Sequence, residues 1–217
     1  IGRHRGGYDG FAFDITDSLK WSGDEEIRVA VFDPTEGDQP CGKQSRKPEG
    51  IFYTPTSGIW QTVWLEPVPK ICINDLKLTP DVDAQSLHVR VAVSSLERSL
   101  QVEVQALANG KEVSHVTGPA NQELTLPVTA PHLWSPDDPF LYDLRVTLKD
   151  DGKIVDSVTS YFGMRKISLR KDAAGITRLA LNDQFLFEMG ALDQGFWPDG
   201  LYTAPTDDAL RFDIEYL

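Results

Sequence analysis

Four acidic clusters carry the side chains most able to move protons: Asp24-Glu25-Glu26, Asp137-Asp138, Asp150-Asp151 and Asp207-Asp208. Adjacent carboxylates are raw material for general acid–base work. Their company points elsewhere. Asp24–Glu26 and Asp150-Asp151 lie in turns, Asp137-Asp138 stand between prolines, and Asp207-Asp208 would open a helix. Solvation or capping is the expected role of each. The histidines (His4, His88, His115, His132) are scattered without neighbouring ligands, and Cys41 and Cys72 form no metal motif, so no zinc or other metal site is expected. One disulfide between the two cysteines is compatible with the sequence. Cys72, between Ile71 and Ile73, reads more simply as a small residue in a strand. The stretch "GALDQGFWPDG" (190–200) is different in kind: Asp193 and Gln194 offer hydrogen bonds beside two flat rings, Phe196 and Trp197. Trp60 and Trp64 in "TPTSGIWQTVWLEPVP" (54–69) raise a related choice between a packed corner and a platform for something flat.

The elements that must position these residues are mostly strands. Of 217 residues, 41% are hydrophobic, enough for a packed core. The dominant period is two: Phe11, Phe13, Ile15; Ile27, Val29, Val31; Leu87, Val89, Val91, Val93; and Phe140, Tyr142, Leu144, Val146, Leu148 each alternate along one face. "QVEVQAL" and "ELTLPV" repeat it, and turn signals separate the runs: "ANGKE" (108–112), "KDDGK" (149–153) and "KDAAG" (171–175). This is the pattern of half-buried antiparallel strands. "LEPVPK" (65–70) removes two backbone donors and ends a sheet. From Ile71 to about Arg165 the strands number about seven, as in an immunoglobulin-like sandwich. Residues 1–66 hold too few strands to close a sandwich, and the chain starts without Met, so it is read as an excerpt of a longer protein. At the other end, "QFLFEMG" reads as a strand, followed by the loop and by helical spacing of Leu210, Ile214 and Leu217, with Thr206 as N-cap. Strand, loop and helix in that order open a β/α unit.

The net charge of −12, from 33 acidic and 21 basic residues, and the lack of a basic face exclude nucleic acid as a partner. "KQSRK" (43–47) sits among Gly and Pro as solvated loop charge. No apolar run is long enough for a membrane span.

With these elements placed, the sequence resembles glycoside hydrolase family 2, the β-galactosidase, β-glucuronidase and β-mannosidase group. "GGYDGFAFDIT", "SGIWQTVWLEPVP", "LWSPDDPFLYDLRVTL", "YFGMRKISL" and "LALNDQFLFEMGALDQG" resemble five family segments in the right order. The resemblance implies a mainly β chain in three parts. Residues 1–69 are the C-terminal part of a jelly-roll, galactose-binding-like domain; 70–166 are an immunoglobulin-like sandwich; 167–217 open a TIM-barrel catalytic domain with its first β/α element. It implies a β-glycoside substrate, hydrolysis with retention of configuration, and no organic cofactor. Such chemistry needs two carboxyl groups about 5–5.5 Å apart, on different barrel strands, so no catalytic residue is expected here. On this reading Asp193 and Gln194 contact sugar hydroxyls while Phe196 and Trp197 stack on a ring; the competing reading is an Asx-type turn with packed aromatics. Two departures weigh against galactose: Leu192-Asp193-Gln194-Gly195 stand where β-galactosidases carry Arg-His-Glu-His, and "IFYTPTSG" lacks their acidic residue before the Ser-Gly turn. The alternative function is an accessory carbohydrate-binding or adhesive β-sandwich without a barrel, which the sequence after Leu217 discriminates.

Overall fold

The computed structural model describes residues 1–95 and 99–217. The chain divides into two compact units, Glu66–Met189 and a second made of Ile1–Leu65 with Gly190–Leu217.

The first unit is built from antiparallel strands. β1 (Ile73–Asp81), β2 (Ser86–Val93) and β5 (Glu123–Pro127) form a three-stranded sheet in the order β1-β2-β5. β3 (Gln101–Ala108), β4 (Lys111–Pro119), β6 (Tyr142–Asp150) and β7 (Lys153–Phe162) form a four-stranded sheet in the order β4-β3-β6-β7. The inward residues are those the alternation marks. Leu87, Val89 and Val91 on β2, Val102 and Val104 on β3, Leu126 on β5, and Leu144, Val146 and Leu148 on β6 are all buried in one cluster. Each such side chain contributes about 1.5–3 kcal/mol through its removal from water. The sandwich thus follows from period-two patterning on seven runs.

The turns follow from local chemistry. The β3–β4 and β6–β7 connections place Asn109-Gly110 and Asp151-Gly152 in the left-handed region, with φ of +50° and +76°, and +47° and +78°. Such paired left-handed residues match the twist of a two-residue hairpin. In the expected "KDAAG" turn, Asp172 Oδ1 accepts from Ala174 N–H and Ile176 N–H, both at 2.9 Å. That turn joins β8 (Ile167–Lys171) to β9 (Thr177–Leu181), and Asn182-Asp183 then return the chain to β10 (Gln184–Phe185). Trp134 marks a rigid corner. Its N–H donates to Met164 C=O at 2.9 Å, and the Arg165 guanidinium lies 4.8 Å from its ring centre. The Tyr142 hydroxyl accepts the His132 backbone N–H at 2.8 Å, tying the corner to β6 as a tyrosine corner does.

The second unit departs from expectation. The strands expected at Phe11–Ile15 and Ile27–Val31 are not formed, and no jelly-roll sheet exists among the described residues 1–69. A single 3-10 turn, Thr16–Ser18, and a parallel bridge between Gln44 and Tyr53 are the regular features there. Alternation supplies an apolar face but not a neighbour for the backbone N–H and C=O groups, and a lone pair of runs seldom holds a sheet. Phe13, Val29 and Val31 accordingly stay exposed. The expected barrel strand in "QFLFEMG" shrinks to Gln184–Phe185, which pairs antiparallel with β9 rather than beginning a parallel barrel. Phe187 and Met189 beyond it are exposed. The C-terminal helix does form, as α1 (Asp207–Tyr216), with the Thr206 side chain accepting from Ala209 N–H at 3.1 Å and Asp207 and Asp208 in its first turn.

Candidate functional site

The loop 190–200 runs without regular structure into a tight reversal. Asp193 Oδ1 accepts from Gly195 N–H at 2.7 Å, an Asx turn that suits the left-handed Gly195, φ +60°. Trp197 and Leu201 then exchange backbone hydrogen bonds of 2.7 and 3.1 Å across Pro198-Asp199-Gly200. Both readings of Asp193 stay physically available, because one carboxylate oxygen sets the turn while the side chain remains exposed.

What fixes the loop is Tyr53. Its ring stacks on Phe196 with centroids 4.3 Å apart and planes within 15°, and its hydroxyl donates to Gln194 Oε1. Lys43 Nζ reaches the same oxygen at 3.3 Å. The ring contacts continue edge-on from Phe196 to Tyr202 (6.1 Å), from Tyr202 to Trp60 (5.5 Å) and from Trp60 to Tyr8 (6.2 Å). Trp60 Nε1–H is satisfied by Gly7 C=O at 2.8 Å, and Thr203 Oγ1–H donates to Trp60 C=O at 3.3 Å. Geometries of this kind each contribute about 0.5–1.5 kcal/mol beyond simple burial. The Tyr202 phenol is pushed above the ordinary tyrosine value by its hydrogen bond with Tyr8 and by burial.

Trp60 is therefore a packing residue. Trp64, which raised the same choice between packed corner and platform, is 70% exposed. Of the expected site residues, Gln194 and Phe196 meet on Tyr53, Asp193 turns the backbone between them, and Trp197 closes the reversal. Tyr53 and Tyr202 were not singled out from the sequence, and Lys43, read there only as solvated loop charge, reaches Gln194. The aromatic residues flanking the Ser57-Gly58 turn were the one available signal, since Phe196 and Tyr202 lie more than a hundred positions from Tyr53 and Trp60.

The acidic clusters serve structure. Glu25 Oε1 accepts from Lys20 and Trp21 N–H at 2.6 and 3.1 Å, and Asp138 Oδ2 lies 2.6 Å from His132 Nε2. The carboxyl pKa values of Asp14, Asp172 and Asp183 are all lowered, chiefly by hydrogen bonds from Thr16, Ile176 and Arg170 respectively. A catalytic acid must move the other way to hold its proton near neutrality. No cluster of three metal-binding side chains occurs among the described residues, and both cysteines are free thiols.

Residues 71–165 match the family model described as glycosyl hydrolases family 2. A putative beta-glucuronidase of Formosa agariphila is 34% identical over 182 residues, covering 80% of this chain and 21% of that protein. A beta-galactosidase of Thermoanaerobacter pseudethanolicus is 26% identical over 190 residues, covering 79% of this chain and 24% of its own length. The chain therefore spans roughly a fifth to a quarter of these relatives. Among solved structures, a β-glucuronidase from Ruminococcus gnavus in complex with D-glucuronic acid shares the fold, with a TM-score of 0.57 and 19% identity over 68% of this chain and 24% of that one.

Proposed function

Because this chain belongs to glycosyl hydrolases family 2, we propose that it is the non-catalytic portion of a retaining, β-galactosidase-like glycosidase that hydrolyses β-glycosidic bonds. In this reading the 70–166 sandwich is the immunoglobulin-like module. Residues 1–69 belong to a jelly roll whose sheet is completed by other strands, and 167–217 open the catalytic barrel. The loop Asp193–Trp197 contacts the sugar. The observation that carries the site is the double anchorage of Gln194 and Phe196 on Tyr53, which holds a polar and a flat group side by side.

Catalysis by retention requires a carboxylate pair in which one member keeps its proton. Asp14, Asp172 and Asp183, whose carboxyl pKa values are lowered, are unsuited to be that member, and in this reading the pair lies on barrel strands beyond the first. Assaying nitrophenyl β-glycosides with the 217-residue chain and with the longer protein tests the proposal. Turnover is expected in the longer protein alone. Turnover by the short chain that disappears on mutating one of its own carboxylates would overturn it.

A further inference from the structure

The sandwich holds a cleft of about 350 Å³ where the β3–β4 turn meets the chain leaving β5. That is near the lower end of the roughly 300–1,000 Å³ usual for small-molecule sites. None of residues 193–197 line it.

His132 is its fixed surface. The imidazole stacks on Phe140 with centroids 4.2 Å apart and planes within 5°, and Nε2 sits 2.6 Å from Asp138 Oδ2. The His132 backbone is tied to the Tyr142 hydroxyl at 2.8 Å. One ring face is covered, yet the side chain is 47% exposed, so the outer face is held at a set tilt before any ligand arrives. Asn109, Ser114 and Thr129 line the same cleft, none with a side-chain hydrogen bond among the described residues. The wall between them is strained. Ala130 adopts φ +48°, which alanine rarely does, and its N–H is pinned to Gln85 Oε1 at 2.9 Å. Backbone strain of this sort concentrates at ligand clamps.

The lining contains no Asp, Glu, Lys or Arg, and its one basic side chain, His132, is already paired with Asp138, which leaves no free charge to balance a charged ligand. A cleft lined by a flat imidazole, an amide and two hydroxyls fits a ring that is apolar on one side and edged with hydroxyl groups. We propose that this cleft is a second carbohydrate site, taking one neutral pyranose of a glycan by stacking on His132.

Titrating the 217-residue chain with methyl β-D-glucopyranoside and following backbone amide shifts by NMR tests the assignment. Saturable shifts at Asn109, Thr129, Ala130 and His132 are expected. His132→Ala should weaken binding by at least about tenfold while leaving the remaining spectrum in place. Asn109→Gly is the second variant, since a φ of +50° suits glycine and only the amide is lost; it should weaken binding by a few-fold. Static cleft amides up to the solubility limit would overturn the proposal, as would binding unchanged in both variants or shifts confined to residues 193–197. Tighter binding of D-glucuronate than of the neutral glycoside would overturn the neutral class.

Discussion

Tyr53 is the residue on which the loop turns, because a single side chain holds two neighbours by different forces. Its ring carries Phe196 and its hydroxyl carries Gln194. Tyr53→Phe keeps the first and deletes the second. A net hydrogen bond contributes about 0.5–1.5 kcal/mol, so amide exchange across residues 193–197 should quicken by roughly two- to tenfold, with the melting temperature nearly unmoved. Unchanged exchange would mean that the stacking and the Lys43 contact hold the loop without the hydroxyl. Asp193 calls for a subtler pair of variants. Asn keeps the oxygen that accepts from Gly195 N–H but removes the charge, whereas Ala removes both. If the carboxylate contacts sugar, a charged hydrogen bond of about 1.5–3 kcal/mol sets the expected loss. In the longer enzyme Asp193→Asn should then lower kcat/KM by about one to two powers of ten with the turn intact. A loss seen only with Asp193→Ala would make Asp193 a turn residue and nothing more.

At the scale of elements, the sheet β8–β10 is joined to the sandwich by an ionic and amide clasp. Lys166 Nζ lies 2.8 Å from Asp83 and 3.2 Å from Asp183, which also pairs with Arg170 at 2.7 Å. Asn182 accepts from Lys166 N–H at 3.0 Å through Oδ1 and donates from Nδ2 to Trp134 C=O at 3.0 Å. Hydrogen bonds to Asp83 and Asp183 raise the Lys166 pKa above 10.5, while those from Arg170 and Lys166 lower that of Asp183 below 3.8. A raised lysine stabilises below its unfolded pKa and ceases to do so as pH climbs through the folded one. A depressed carboxylate stabilises above its unfolded pKa and ceases to do so as pH falls through the folded one. The clasp should therefore hold between about pH 4 and 10 and loosen beyond either limit. The β9 amides should lose exchange protection in acid, below pH 3.8, before those of β2 and β6 do. Loss at the same pH throughout would show that the clasp adds nothing local. This element also shows what sequence reading reaches. The "KDAAG" and "KDDGK" hairpins are legible because alternation and turn chemistry are both local. The Asn182-Asp183 reversal has no glycine and passes unnoticed, although both residues are left-handed, with φ of +50° and +65°. The strands expected at Phe11–Ile15 and Ile27–Val31 fail for the opposite reason: periodicity specifies a face and leaves the hydrogen-bonding partner unspecified. For the site, Asp193, Gln194, Phe196 and Trp197 carry a readable chemistry, whereas Tyr53 is 141 positions from Gln194 and no short-range pattern links them.

At the scale of the whole molecule, every strand of the three sheets lies within Glu66–Met189. All backbone pairs of β1 to β10 are thus closed inside one stretch, and so is the cluster that contains Leu87, Val104, Leu126 and Val146. A protein of residues 66–189 should therefore unfold cooperatively on its own, since both the hydrogen bonds and the buried surface it needs are contained in it. Leu126, fully buried on β5, provides the quantitative check. Truncation to Ala removes its transfer energy and leaves a cavity, at a cost of about 2–5 kcal/mol. Denaturant unfolding of the 66–189 protein and of the 217-residue chain, followed by far-ultraviolet circular dichroism, should show that loss equally in both, with the slope on denaturant unchanged. A change in slope, or a loss below about 1 kcal/mol where core truncation costs more, would mean that this stretch is not the cooperative unit. Equal losses would identify the sandwich with β8–β10 as the part that folds without help from residues 1–65 and 190–217.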